Sequence, residues 1–290
     1  MTEWKETIIG EYIDLISGYA FKSANFLNEY IENSLPVIKI KNVANGDTNL
    51  NDVVYHQYDA SLEKFVLKKG DVLISMTGNH PHAMTQVVGD VSRYKLDTNS
   101  LLNQRVGKLV PKENTSLDFI YYLFKDKDVQ NYLANQSSGS ANQANISKGD
   151  ILGLILRIPP LPEQTAIASI LSSLDDKIDL LLRQNTTLEN MAETLFRQWF
   201  VEEAKVEWEV VKMENLISIG SGKGLKKESF IENGLFPILG ANGEIGRTNE
   251  FLFNEKLIYT GRVGTLGNIF RIENEKVWLS DNTLVISNSA

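Results

Sequence analysis

Three short segments near the start of the chain carry the apolar and polar spacing of strands. Val37-Ile38-Lys39-Ile40-Lys41 alternates apolar with basic residues, the pattern of a half-buried strand. Val72-Leu73-Ile74-Ser75 follows the turn formers Gly70-Asp71 and reads as a buried strand. Arg105 to Val110 is a third strand, stopped by Pro111. Leu117 to Leu133 then takes helical spacing through Phe119, Tyr122, Leu123, Val129 and Leu133. A polar stretch from Asn135 to Gln143 is a loop.

Ile158-Pro159-Pro160-Leu161-Pro162 marks a boundary, because proline fixes φ and permits a helix to start beyond it. From Leu171 to Trp199 a seven-residue repeat holds. One column reads Leu171, Ile178, Asn185, Ala192, Trp199, and the other reads Leu174, Leu181, Leu188, Leu195. Leucines in one column with a lone Asn in the other form a coiled-coil seam with a register-setting polar residue. About 40 helical residues, from Glu163 to roughly Glu203, span ~60 Å. The seam needs a partner helix. Ile170, Leu182, Met191, Phe196 and Phe200 widen it, which suits more than one neighbour. An ordinary long core helix would carry a similar stripe.

The chain then starts again. Trp4 stands 14 residues before Gly18, and Trp208 stands 14 residues before Gly222. Leu35-Pro36-Val37-Ile38 is matched by Phe236-Pro237-Ile238-Leu239, and Val72 to Gly78 by Lys256 to Gly261. Gly89-Asp90-Val91-Ser92-Arg93 is matched by Gly267-Asn268-Ile269-Phe270-Arg271. Four correspondences in one order indicate a duplicated domain with a helix between the copies. The second copy is expected to lack the end of its domain and its helix, on the order of 100 residues. Either two chains pair their helices, or these residues belong to a longer reading frame.

A length of 290 residues allows about two domains. Net charge is −8, and the excess is spread. Residues 1–150 hold 15 basic and 18 acidic residues, 151–205 hold 5 and 8, and 206–290 hold 9 and 11. No segment is a basic domain, so any contact with nucleic acid must come from a local surface or be shared with a partner. The absence of cysteine excludes disulfides and thiolate metal sites and fits the cytoplasm. The N-terminus is polar and shows no secretory signal. No apolar run approaches the ~18 residues of a membrane span.

Catalytic motifs are missing. Gly220-Ser221-Gly222-Lys223-Gly224 lacks the first-glycine spacing of a phosphate loop and the Ser or Thr after its lysine, so it reads as a glycine turn. Pro159-Pro160 lacks the flanking Asn or Asp and the aromatic of an adenine methyltransferase motif. Acid-x-Lys pairs fall only at the N-terminus and on the long helix, no place for nuclease metals. His56, His80 and His82 lack ligand partners for zinc.

Gly18-Tyr19-Ala20-Phe21-Lys22-Ser23, Pro36 to Ile40, Lys69 to Ser75 and Leu102-Asn103-Gln104-Arg105-Val106 resemble a target-recognition domain of type I restriction-modification specificity subunits. Pro159 to Ala168, with Leu174-Asp175-Asp176-Lys177-Ile178, is similar to the start of that family's spacer helix, and Leu195-Phe196-Arg197-Gln198-Trp199-Phe200 to its end. The resemblance implies an α+β chain with a mixed α/β recognition domain (1–157), a long coiled-coil spacer helix (158–205) and a partial second α/β recognition domain (206–290). It implies a non-catalytic subunit that reads split double-stranded DNA for adenine methylation and restriction in phage defence. Methyltransferase subunits and a translocase-nuclease subunit would be its partners. S-adenosylmethionine, ATP and Mg would be bound by those partners, and no cofactor or metal by this chain.

Asn and Gln suit adenine, and Arg and Lys suit guanine, at base edges. Under this resemblance the candidate DNA contacts are Lys22, Ser23, Lys39, Lys41, Asn42, Thr77, Asn79, His80, Asn103, Gln104 and Arg105, with Asn45 and His82 as further readers. Lys39, Lys68, Lys69, Arg93 and Lys95 suit phosphates. Gln164, Leu174, Ile178, Leu181, Asn185, Leu188, Leu195, Phe196 and Trp199 are the candidate interface with methyltransferase or a partner helix, a homodimer included. Each polar position would also serve as a solvated loop residue. A competing reading is a regulatory fragment that binds methyltransferase and reads no DNA. A stand-alone enzyme is disfavoured by the missing motifs.

Overall fold

The computed structural model describes residues 4–43, 46–78, 87–137, 144–205, 207–263 and 267–288. The chain divides into two compact units, Met1–Met191 and Ala192–Ala290.

The first unit runs through strands β1 (Lys5–Ile8), β2 (Ile13–Ser17), β3 (Ser34–Ile38), β4 (Val54–Gln57), β5 (Val66–Leu67), β6 (Val72–Ser75), β7 (Thr77–Gly78), β8 (Val91–Arg93), β9 (Ser100–Leu102) and β10 (Val106–Pro111). Helices α1 (Leu117–Lys125) and α2 (Lys127–Gln136) follow, then β11 (Ala144–Asn145), α3 (Lys148–Leu152), β12 (Ile155–Ile158) and α4 (Leu161–Arg197). One sheet is antiparallel, in the order β2-β10-β6-β8. A second has the order β4-β3-β9-β5 with β3 parallel to β9. Strand β1 pairs with β12, which ties the start of the chain to the residues just before α4.

The first sheet is buried on both faces, which is why Val72 to Ser75 is a continuous buried run. Leu15, Val72, Ile74 and Leu109 pack under Phe119, Ile120 and Phe124 of α1, Leu133 of α2 and Ile151 of α3. Leu73 and Val106 point the other way, onto Ile38, Leu67, Tyr94 and Leu102. Two segments differ from the sequence pattern. The strand over Val37–Lys41 is displaced to Ser34–Ile38, and Ile40–Asn42 forms a 3-10 turn. The helix over Leu117–Leu133 is two helices, broken at Asp126, whose carboxylate accepts from the amides of Asp128 and Val129 and so caps α2.

The second unit holds β13 (Ile217–Ser221), β14 (Phe236–Gly240), β15 (Gly243–Thr248), β16 (Leu257–Gly261), β17 (Ile269–Ile272), β18 (Trp278–Leu279) and β19 (Thr283–Asn288). Its sheets are β13-β19-β16-β17 and β15-β14-β18, with β14 parallel to β18. The four-stranded sheet repeats the order of β2-β10-β6-β8, and the three-stranded one repeats β4-β3-β9, with no counterpart of β5 among the described residues. Its core is Leu239, Leu257, Tyr259, Ile272, Val277, Leu279 and Val285, with the Tyr259 ring stacked on Phe270 at 4.8 Å.

The four repeated segments lie on corresponding strands or on the turns that enter them. Gly89 and Gly267 both take positive φ before β8 and β17. At the start of the β6/β16 match, where Val72 was set against Lys256, the register is two residues off. Sheet pairing aligns Val72 with Ile258, because each is joined through β10 or β19 to the strand after the tryptophan and faces Arg93 or Arg271. A slip of two preserves which face each side chain takes.

Candidate nucleic-acid interface and helix seam

A close backbone approach organises one end of the first unit. A β-carbon on Gly18 would run into the carbonyl of Asn103, so only glycine fits. The approach lets the Tyr19 amide donate to the Leu102 carbonyl at 2.8 Å and the Gln104 amide to Tyr19 at 3.0 Å. Asn103 in turn donates to Ile38 at 3.2 Å, Met76 to Arg105 at 3.0 Å, and Ile146 to Met76 at 3.0 Å. Residues 18–23, 38–42, 76–78, 103–105 and 144–146 therefore converge. Lys22, Ser23, Lys41, Gln104 and Arg105 are exposed there, and Lys39 and Asn103 are half-buried. The Lys39 ammonium lies 4.3 Å from the Phe26 ring centroid, and burial, then the neighbouring Lys41, pulls its pKa down. Lys41 lies 3.7 Å from Asp52.

Asn42 and Thr77 are corrected by the structure. Asn42 is fully buried, accepting from the Lys39 amide and donating to the Asn51 carbonyl at 2.9 Å. It closes the 3-10 turn and, with no exposed surface, presents no amide to a base. Thr77 is buried and donates to Asn145 at 2.7 Å, and the same Asn145 oxygen lies 3.5 Å from Arg105. Thr77 thus supports Arg105 from behind. Asn79 and His80, with Asn45 and His82, lie outside the described residues. Among the phosphate candidates, Lys68 and Lys69 pair with Glu63 and Asp97 at the surface. Arg93 and Lys95 are spent on α4, as described below.

Sequence reasoning missed two features. One is an aromatic cluster in which Tyr19 contacts Phe21 and Phe65, and Phe21 contacts Phe26 and His56. The other is the matching end of the second unit. There Gly222 abuts the carbonyls of Leu279 and Ser280, and Lys223 donates to Leu279 at 2.8 Å, as Tyr19 does to Leu102. Lys223, Lys226 and Lys227 are exposed on this loop, and Arg262 donates its amide to Asn282 where Met76 donates to Arg105. The repeated tryptophan-to-glycine spacing was the signal by which these lysines could have been found.

Helix α4 has two differently used halves. Its first half is docked. Gln164 is fully buried, accepting from the Ser116 amide at 2.9 Å and donating to the Pro159 carbonyl at 2.9 Å. This corrects Gln164 as a partner-interface residue, because both ends of its amide are used inside the unit. The Trp4 indole donates to Glu163 at 2.9 Å. Arg93 reaches Asp118 at 2.9 Å, Ser172 at 3.2 Å and Asp175 at 3.9 Å, with its guanidinium over the rings of Tyr121 and Tyr122. Lys95 bridges Asp179 at 2.6 Å and Asp47 at 2.7 Å. Burial works to lower the Lys95 pKa, but the two carboxylates together outweigh it and hold it above the usual lysine range.

From Leu180 onward every described residue of α4 is exposed. Leu174, Ile178, Leu181, Leu188, Leu195, Phe196 and Trp199 are each between 39% and 61% exposed. Asn185 is exposed in the same stripe. Isolated apolar residues at a surface need no explanation, but a continuous stripe of this kind marks an interaction surface. The helix ends in a π turn over Gln198–Glu202.

The family model described as type I restriction modification DNA specificity domain matches residues 1–190 and 205–289. The type I restriction enzyme MjaIX specificity subunit of Methanocaldococcus jannaschii is 27% identical over 266 residues, covering 82% of this chain and 60% of its own. The HindI specificity subunit of Haemophilus influenzae is 29% identical over 214 residues, covering 70% and 42%. The crystal structure of the S subunit of a type I restriction-modification system from M. genitalium superposes with a TM-score of 0.61 at 21% identity, over 100% of this chain and 73% of that one. That likeness establishes a shared fold. The chain spans 60% or less of the length of these two curated relatives.

Proposed function

The chain belongs to the type I restriction-modification DNA specificity family, and from that membership we propose that it is the non-catalytic subunit that reads a split DNA target and directs adenine methylation and restriction to it. The observation that carries the proposal is the paired recognition end. In each unit a glycine packed against a backbone carbonyl sets out a loop of exposed polar and basic residues, Lys22, Ser23, Gln104 and Arg105 in one and Lys223, Lys226 and Lys227 in the other. Base edges would be read by such side chains, with the lysines also serving phosphates. With no basic domain in the chain, phosphate contacts would come from these local lysines or be shared with a partner subunit.

Partner subunits supply the chemistry in this reading. Methyltransferase subunits bring S-adenosylmethionine, and the translocase-nuclease subunit brings ATP and Mg. The exposed seam from Leu174 to Trp199 is where methyltransferase or a second helix packs, including the antiparallel helix of another copy. The complex works in the cytoplasm. In keeping with this, no helix among the described residues is long and apolar enough to cross a membrane.

Long-read methylation mapping in a host expressing this chain with its neighbouring methyltransferase tests the proposal. A split adenine-methylated motif is the expected result. A palindromic motif supports two paired copies of the first unit, and an asymmetric one supports two different readers in action. No methylation with both proteins expressed overturns DNA reading and leaves a methyltransferase-binding module.

A further inference from the structure

The polar contacts along the first half of α4 are graded. Innermost is the buried Gln164, next Arg93 with Ser172 and Asp175, and outermost Lys95 with Asp179. The two carboxylates that Lys95 holds come from different places, Asp47 from the loop after the Ile40–Asn42 turn and Asp179 from the helix. The same residues line a cleft of about 440 Å³ with Lys125, Asp175 and Ile178. Past Asp179 the helix has no buried or half-buried residue. The direction in which the free half leaves the sheets is therefore set at its last anchor.

We propose that Lys95, by clamping Asp179 to Asp47, is a positioning residue that fixes the angle of α4 on the recognition unit and through it the number of base pairs between the two halves of the DNA target. The proposal rests on the reading of the chain as a DNA-specificity subunit. Lever arithmetic gives its scale. With the Arg93 contacts to Ser172 and Asp175 intact, the lever runs from Asp175 to Leu188, 13 residues or about 20 Å along the helix. A pivot of about 11° at Asp175 moves Leu188 by about 4 Å, close to the ~3.4 Å rise of one base pair. Buried Gln164 and Ala168 would hold the helix in place while the outer clamp is cut. Cutting it therefore loosens the angle without undocking the helix.

The cysteine-free sequence makes the angle measurable, because introduced cysteines are the only ones to label. Spin labels at Asn28→Cys and Thr187→Cys, both exposed positions, report the distance between the unit's sheets and the free half of the helix. In Lys95→Met the distance distribution should broaden or shift by about 4 Å, and the exchanged pair Lys95→Asp with Asp179→Lys should recover part of the original. In methylation mapping with methyltransferase, the unaltered chain should use one spacer length. Lys95→Met should also accept spacers one base pair longer or shorter while keeping the same half-target bases. An unchanged distance distribution overturns the clamp. A broadened distribution with unchanged spacer use, or with methylation lost from a folded variant, overturns its role in spacing. Absence of methylation by the unaltered chain refutes the functional reading instead, and the distance measurement then still decides whether Lys95 sets the angle.

Discussion

Leu15, Leu109, Val72 and Arg93 stand in one row across the antiparallel sheet of the first unit, and Ile219, Ile286, Ile258 and Arg271 stand in the matching row of the second. The chemistry of the two rows is nearly the same, but their surroundings differ. In the first, Leu15 is 1% exposed, Leu109 2% and Val72 1%, and the Arg93 side chain is 13% exposed under two tyrosine rings. In the second, Ile219 is 61% exposed, Ile258 40% and the Arg271 side chain 72%. The difference is the helical layer. Helices α1, α2 and α3 roof the first row, and among the described residues after α4 there is no α-helix to roof the second. A strand pattern thus specifies a sheet and the side chains on each face, but their energetic worth depends on the layer packed over them.

The largest effect expected from this comparison is a contrast of two substitutions, one in the helical layer and one on the uncovered row. Phe124→Ala in the first unit should cost ~3–5 kcal/mol of stability, because it empties a site closed on all sides. Ile219→Ser in the second unit should stay within ~0.5 kcal/mol, because the side chain is already in water. Urea denaturation of both variants measures this. A loss of several kcal/mol for Ile219→Ser would mean that its face is covered in solution, and the contrast would fail.

How much of this was legible in the sequence varies by element. The β6 and β16 strands, the long helix and the duplication rest on patterns that survive without packing, namely apolar runs, a heptad and ordered spacing. Failures fell where one side chain overrides a pattern. Asp126 ends one helix and begins another, although the apolar spacing runs through it. Asn42 looked like a base reader because it is polar and follows Lys41 at the end of a strand pattern, and burial against Asn51 turned it into a brace. Gln164 sits in a motif specific to the family, but its motif context does not tell whether it faces inward or outward. The recognition loops were legible as places, through Gly18, while the Tyr19–Phe21–Phe26 cluster needed the fold to bring its members together.

The two halves of α4 extend the comparison at smaller scale. Gln164→Ala leaves the Ser116 amide and the Pro159 carbonyl without a partner and should cost ~1–3 kcal/mol. Leu181→Ser in the free half should change the stability of the isolated chain by no more than ~0.5 kcal/mol. The same substitution should weaken association with methyltransferase or a second copy, as sedimentation would show. Equal destabilisation by the two substitutions would erase the distinction between a docked and a free half.

The smallest effect expected concerns helix α3, which the first unit fastens to its sheet by an ion pair. Lys148 lies 2.5 Å from Asp14 and donates to the Leu15 carbonyl at 2.8 Å. The hydrogen bond from Lys148, then that from the Leu15 amide, holds the Asp14 carboxyl below the ordinary aspartate range. A carboxyl whose folded pKa is depressed contributes stability that is present above its unfolded pKa, about 3.9, and is lost as pH falls through the folded value. Asp14→Asn should therefore lower the unfolding temperature slightly and by a constant amount between about pH 7 and pH 5. The gap to the unaltered chain should close below about pH 4. The effect stays small because both partners are about half exposed and water screens the pair. Hydrogen exchange localises it, with faster exchange expected in α3 and β2 of the variant and none in β13, which has no such helix to lose. A gap that widens as pH falls would mean that Asp14 is held in its neutral form, and the fastening of α3 would have to be sought in its apolar contact through Ile151 instead.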